Sequence, residues 1–146
     1  MAYKGQPVPS TTYQHGRAKV SDGKSVRVVV PANSGPIPAG SLQEFDGFLG
    51  FAMGGQEPAQ WVTPGNVLDN SDKDQELILT IEQAEYETDQ IDEEGDFEVG
   101  TVVYWDPVNK VLTEDDGGET PNRVAGRVTS APDSNGFIWF ILGPQV

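Results

Sequence analysis

Apolar and polar positions alternate along this chain over short runs, and turn-forming residues interrupt each run before a helical period can build. Val26, Val28 and Val30 alternate with Arg27 and Val29, a two-residue period that gives a strand one well-buried face. The same reading predicts strands over residues 17–20 and 24–30, split by Ser21-Asp22-Gly23; an Asp-Gly step between two such runs predicts a hairpin. A second Asp-Gly step, Asp46-Gly47, separates Glu44-Phe45 from Phe48-Leu49-Gly50-Phe51-Ala52-Met53, and Gly54-Gly55 ends that unit. Residues 31–38, with three prolines, read as a loop. Residues 54–76 read as irregular, with Trp61-Val62-Thr63 a short strand and 69–76 a polar turn region.

Leu77-Ile78-Leu79-Thr80-Ile81 is a dense β-branched run that continues through Ala84 and Tyr86. Residues 81–86 are the best helical candidate, and their β-branched lead-in argues against it. An acidic stretch follows over 89–98 and closes at Gly100. Strands are then predicted at 101–105 and 110–113, turned by Asp106-Pro107-Val108-Asn109, and at 123–128. Pro132-Asp133-Ser134-Asn135-Gly136 turns the chain into Phe137-Ile138-Trp139-Phe140-Ile141-Leu142, the most apolar run of all. About nine or ten short strands at close spacing predict an all-β barrel- or sandwich-like domain. That domain covers residues 17–146. Residues 1–16, with Pro7, Pro9 and no apolar period, read as an extended N-terminal arm.

Composition narrows the picture. The chain has 146 residues, 36% of them apolar, with Gly at 17 and Pro at 11, which suits short strands and tight turns over long helices. It has no cysteine, so disulfides, thiolate metal sites and a cysteine nucleophile are excluded. No apolar run approaches the roughly 18 residues of a membrane span. Residues 1–10 lack the apolar core of a signal peptide, so the expectation is a soluble protein made in the cytoplasm. The net charge of −14 is unevenly spread: residues 1–38 carry +4 and residues 75–146 carry −13. So acidic a body repels phosphate backbones and argues against nucleic-acid binding.

Candidate chemistry is sparse. Gly23-Lys24-Ser25 has the tail of a phosphate-binding loop, but Ala18 stands where the first glycine is needed, and Val26-Arg27-Val28 follows where a helix is needed. His15 is the only histidine and lies in the arm, away from any general-base setting. Asn70, Asp72 and Asp74 are spaced like the first ligands of a Ca²⁺ loop, yet Gln75 replaces the turn glycine and Ile81 the closing glutamate. Asp92, Glu94, Asp96 and Glu98 alternate off that pattern too, leaving only weak, adventitious Ca²⁺ binding. No catalytic residue, cofactor or dedicated metal is therefore expected. Tyr104, Trp105, Phe137, Trp139 and Phe140 read mainly as core. Trp139 and Ile141 face opposite to Ile138 and Phe140, so a second subunit is expected against them.

Taken in order, several segments resemble the small cement (decoration) proteins of tailed-phage capsids. Ile37-Pro38-Ala39-Gly40-Ser41-Leu42 with Asp46-Gly47-Phe48-Leu49-Gly50-Phe51-Ala52 is similar to that family's glycine-bracketed signature. Gly100-Thr101-Val102-Val103-Tyr104-Trp105 with Lys110-Val111-Leu112-Thr113, and Arg123-Val124-Ala125-Gly126-Arg127-Val128, resemble its later elements. The resemblance spans about residues 24–143. It implies a β-rich, non-enzymatic protein on the outer surface of the virion head, bound to the major capsid protein, commonly as a homotrimer, and stabilising the shell. The charge asymmetry then suggests that residues 1–36 meet the shell, with contacts from Tyr3, Lys4, Tyr13, His15, Arg17 and Lys19, while the acidic half faces outward. The alternative is a non-catalytic β-barrel that binds a small ligand or glycan through Trp61, Trp105 and Trp139, which requires those rings to be exposed and clustered.

Overall fold

The computed structural model describes residues 19–34, 37–55, 67–68 and 73–146. Among them the chain is all-β and has no helix. The strands are β1 (Ser25–Val30), β2 (Ile37–Pro38), β3 (Leu42–Phe45), β4 (Phe48–Gly55), β5 (Val67–Leu68), β6 (Gln75–Thr80), β7 (Glu85–Thr88), β8 (Val102–Asp106), β9 (Val111–Thr113), β10 (Arg123–Ser130) and β11 (Ile138–Leu142). They form a four-stranded sheet ordered β1-β6-β4-β3, a five-stranded sheet ordered β7-β11-β10-β8-β9, and a two-stranded ribbon, β2-β5. Every pairing between strands is antiparallel.

Three hairpins form where turn chemistry predicts them. Asp46 and Gly47 both take positive φ, 53° and 85°, the backbone of a two-residue turn whose twist matches its flanking strands. It joins β3 to β4 in the register Phe45 to Phe48 and Leu42 to Phe51. Between β8 and β9 the Asp106 carboxylate accepts the amides of Val108 (2.9 Å) and Asn109 (3.1 Å) and the Asn109 side-chain amide (2.8 Å). Between β10 and β11 the Asp133 carboxylate accepts the amides of Asn135 and Phe137. In both, a short acidic side chain stands in for a missing backbone partner.

Among the described residues no hairpin forms at the predicted Asp22-Gly23 turn. Lys19 and Val20 have no strand structure, residues 17 and 18 lie outside the described set, and β1 pairs instead with β6, Ser25 against Thr80 and Val30 against Gln75. The run through Tyr86 is also not one strand. β6 belongs to the four-stranded sheet and β7 to the five-stranded one, and residues 81–84 carry the chain between them. The proline-rich 31–38 loop holds strand β2, and the stretch read as irregular holds β5 and the start of β6.

The two sheets stack on a shared core. Leu42, Leu49 and Phe51 of β3 and β4 meet Val103, Trp105, Leu112, Ala125, Val128, Ile138, Phe140 and Leu142 of the larger sheet. Tyr86 stacks on Phe51 with ring centroids 4.6 Å apart, and Phe140 lies 6.1 Å from Phe51, offset geometries that suit the ring quadrupoles. Phe97, from the acidic stretch, is fully buried in this core at φ 49°. Its amide donates to the Glu114 carboxylate at 2.7 Å, which helps hold a conformation uncommon for a bulky residue.

A second core lies on the other face of the smaller sheet. Val28, Val30, Leu77, Leu79, Ala52 and Ile37 are buried there, with Phe45 and Phe48 packed against them. The sheet rolls until its outer strands β1 and β3 approach each other. The Asp46 carboxylate at the β3–β4 turn accepts the Val29 amide at 2.8 Å. This covers a backbone donor on β1 that would otherwise present an open edge.

Side-chain amides join the sheets where no strand is available. Gln90 accepts the Leu42 amide (2.6 Å) and donates to the Leu42 and Lys110 carbonyls. Gln145 accepts the Leu49 amide and donates to the Leu49 carbonyl, both at 2.9 Å. Each amide thereby acts as one residue of a β-ladder. Arg123 completes the C-terminal junction, donating to Glu44 (3.0 Å), to the Gly47 carbonyl (2.7 Å) and to the Gln145 side chain (2.9 Å).

Candidate interaction surface

The outer face of the five-stranded sheet is the most distinctive surface among the described residues. Strand alternation turns Ile138, Phe140 and Leu142 into the core and leaves Trp139 and Ile141 outward. Trp139 is 48% exposed, Ile141 45% and Val124 of β10 56%. Register sets their neighbours. One row across the strands runs Glu85, Ile141, Arg127, Val102; beside it Trp139 sits between Glu87 and Ser130; further along, Val124 lies opposite Tyr104. The guanidinium of Arg127 donates to the Gly100 carbonyl at 2.7 Å and stays on the surface. Glu85 accepts the Thr129 hydroxyl at 2.5 Å.

The face is thus apolar at its centre, with a cation within it and carboxylates along the β7 side. A depression of about 260 Å³ lies at that side, lined by Glu85, Tyr86, Glu87 and Trp139. Tyr86 points inward, donates its hydroxyl to the Glu82 carbonyl at 2.9 Å, and has its pKa raised by burial and, less, by the Glu82 charge. Two further depressions flank the C-terminus. One, of about 380 Å³, is lined by Gly47, Arg123, Val124 and residues 143–146; the other, of about 360 Å³, lies between residues 22–24, 81–83 and 144–145.

The sequence-predicted residues are placed unevenly. Trp139 and Ile141 stand together on the outer face, as their alternation requires. The sequence reading had a cover over both faces of β11; among the described residues the inner face is covered and Trp139 and Ile141 stay about half exposed. Lys19 is partly exposed and pairs with Asp22 at 2.6 Å. Tyr3, Lys4, Tyr13, His15, Arg17 and Trp61 lie outside the described residues.

Trp105 is 2% exposed, so it packs the core and cannot join Trp139 in a ligand platform. Asn70 and Asp72 also lie outside the described residues. Asp74 accepts the Ala32 amide at 2.8 Å, and Asp92 accepts the Glu94 amide and the Thr113 hydroxyl. These carboxylates serve the backbone. Among the described residues no group of three or more His, Asp or Glu side chains is placed to hold a metal ion. Lys24 pairs with Glu82 at 3.7 Å and Ser25 opens a strand, not the helix a phosphate loop needs. The roles of Arg123, Gln90 and Gln145 escaped sequence reading, because no pattern marks a side chain that pairs with a strand some 50 to 100 residues away.

No protein-family model matches the chain, and neither a curated protein nor a solved structure is significantly similar to it.

Proposed function

We propose that this chain is a non-catalytic structural protein that binds the outside of an assembled phage head as a homotrimer and stabilises the shell. The observation that supports this reading best is the outer face of the five-stranded sheet, where Trp139, Ile141 and Val124 are each about half exposed around Arg127. A monomer that keeps three large apolar side chains exposed on one sheet face gains by covering them with protein. The segments that resemble capsid cement proteins point the same way. Two of their glycines stand where this fold needs them, Gly47 in the β3–β4 turn and Gly126 against β11. In this reading the outer face joins the copies to one another, and the basic residues 1–36 meet the major capsid protein.

The test is the mass of the full-length chain by light scattering, followed by co-sedimentation with purified heads. The expected mass is about three times the 15.8 kDa chain, and deleting residues 2–16 should reduce occupancy on heads while the body stays folded. A monomer that also fails to sediment with heads would overturn the proposal; unchanged occupancy after the deletion would remove the arm from it.

A further inference from the structure

Strand β7 forms one edge of the five-stranded sheet. The Leu142 amide donates to the Ala84 carbonyl at 3.1 Å, so Ile141–Glu85 and Trp139–Glu87 are the pairs that exchange no hydrogen bonds. The backbone N–H and C=O groups of Glu85 and Glu87 therefore point away from β11, and among the described residues nothing bonds to them. The other edge strands of the two larger sheets have at least some of their outer groups met. Leu112 of β9 bonds to Gln90 and Asp92, Asp46 takes the Val29 amide of β1, and Gln90 takes both backbone groups of Leu42 in β3. An edge with free donors and acceptors is a template for one more strand.

The side chains along this edge select the strand that fits. Glu85 and Glu87 stand two residues apart on the exposed outer face, and among the described residues neither forms an ion pair. Glu85 accepts only the neutral hydroxyl of Thr129 there. Beside them the half-exposed Trp139 ring closes the depression of about 260 Å³ that both glutamates line. A carboxylate pair next to an aromatic face attracts a lysine or arginine: the stem packs on the ring and the charge meets the carboxylates. The same charges exclude other occupants. Two β7 strands paired edge to edge would set glutamate against glutamate, which is destabilising directly across a ladder, and copies that each carry −14 repel. The phosphates of a nucleic acid are repelled as well.

We propose that β7 is a docking edge for an extended cationic segment of a partner protein, which adds to the sheet as a sixth strand. Lysine or arginine at two alternate positions of that segment lies opposite Glu85 and Glu87, with Cα atoms about 5.5 Å apart, and the residue between them turns to the other face. Main-chain bonds to Glu85 and Glu87 carry the affinity. The two carboxylates and Trp139 carry the preference for alternating cations. The edge lies beside the face proposed to join the copies, and the inference does not rest on the capsid reading.

The test uses the full-length chain and a labelled synthetic peptide that alternates lysine with threonine over about eight positions. Fluorescence anisotropy at low salt should show binding that weakens as salt rises. Replacing the peptide's lysines by glutamates should weaken it at least about tenfold, and so should methylating the peptide's backbone nitrogens, which keeps every charge and removes the strand donors. Glu85→Lys with Glu87→Lys in the chain should have the same effect while the thermal midpoint stays within a few degrees, because both side chains are exposed. Hydrogen exchange gives the position: the Glu85 and Glu87 amides should exchange readily without the peptide and at least about tenfold more slowly at saturation. Equal binding of the methylated peptide would reduce the contact to charge alone and overturn the proposal, as would no binding or unchanged exchange at the two amides. Slow exchange before any peptide is added would mean that another copy or segment of this chain already fills the edge, and would also overturn it. A monomer in light scattering leaves these expectations unchanged, so the docking edge and the trimer fail separately.

Discussion

Individual residues in this fold are set by close approach and by local polar satisfaction. Gly126 sits at the bulge where β10 shifts register against β8, and a Cβ there would lie 2.0 Å from the Ile141 carbonyl oxygen. Backbone cannot move aside as a flexible side chain can, so Gly126→Ala should destabilise the chain by about 3 kcal/mol or more in urea unfolding; a change under about 1 kcal/mol would show that β11 relaxes. Asp106 gives a pH-dependent counterpart. The Asn109 backbone and side-chain hydrogen bonds, then that of Val108, lower its pKa below the ordinary 3.8. A carboxylate depressed in the folded state adds stability that is present above its unfolded pKa and lost as pH falls through the folded one. Asp106→Asn turns one of its acceptor oxygens into a donor facing the Asn109 amide. The variant should therefore be less stable than the parent at pH 7, with the gap narrowing below the usual carboxylate range. Thermal melts at a series of pH values would show this, and a gap constant with pH would contradict it.

At the level of elements, what the sequence reveals depends on how far a strand lies from its partner. The β3–β4, β8–β9 and β10–β11 hairpins were legible because Asp46-Gly47, Asp106 and Asp133 carry their turn chemistry within a few residues. The β1–β6 pairing was not, because Val30 and Gln75 meet across 45 residues with no local mark of the partner. The local Asp22-Gly23 signal pointed to a hairpin, whereas among the described residues the strand partner of β1 is β6. Phe97 was hidden for another reason: an aromatic among Asp92, Glu94, Asp96 and Glu98 reads as solvated loop, yet it fills the core. The outward turn of Trp139 and Ile141 was legible, because strand alternation alone fixes it. The glutamine clamps lay beyond any pattern, and they make a sharp prediction. Gln145→Ala leaves the Leu49 N–H and C=O without their partner and strips one contact from Arg123. Leaving buried backbone groups unpaired should cost about 2 kcal/mol. Gln145→Glu should be no better, since a carboxylate cannot donate to the Leu49 carbonyl. Chemical denaturation of both variants checks this, and a stable Gln145→Glu would mean that the Arg123 contact alone holds the tail.

The whole molecule sets charge against apolar surface. Each chain carries −14, most of it in residues 75–146, so copies that approach one another repel at long range. In the proposed trimer the outer face around Trp139, Ile141 and Val124 would supply the opposing, non-directional attraction. Salt separates the two. Raising ionic strength from about 0.01 M to about 1 M shortens the screening length from about 30 Å to about 3 Å, which removes most of the repulsion and leaves apolar contact in place. If the copies join through this face, self-association should strengthen with salt, the reverse of what an interface built on pairs such as Arg127 with Glu85 would show. Replacing Trp139 by Ser and Ile141 by Thr should abolish association at every salt concentration. It should leave the unfolding midpoint within a few degrees of the parent, because both side chains are half exposed and neither belongs to either core. Sedimentation velocity across a salt series reads the association, and a thermal melt of each variant reads the midpoint. Association that weakens with salt would place the contact on charged groups, and association that survives the double substitution would move it to another surface of the molecule.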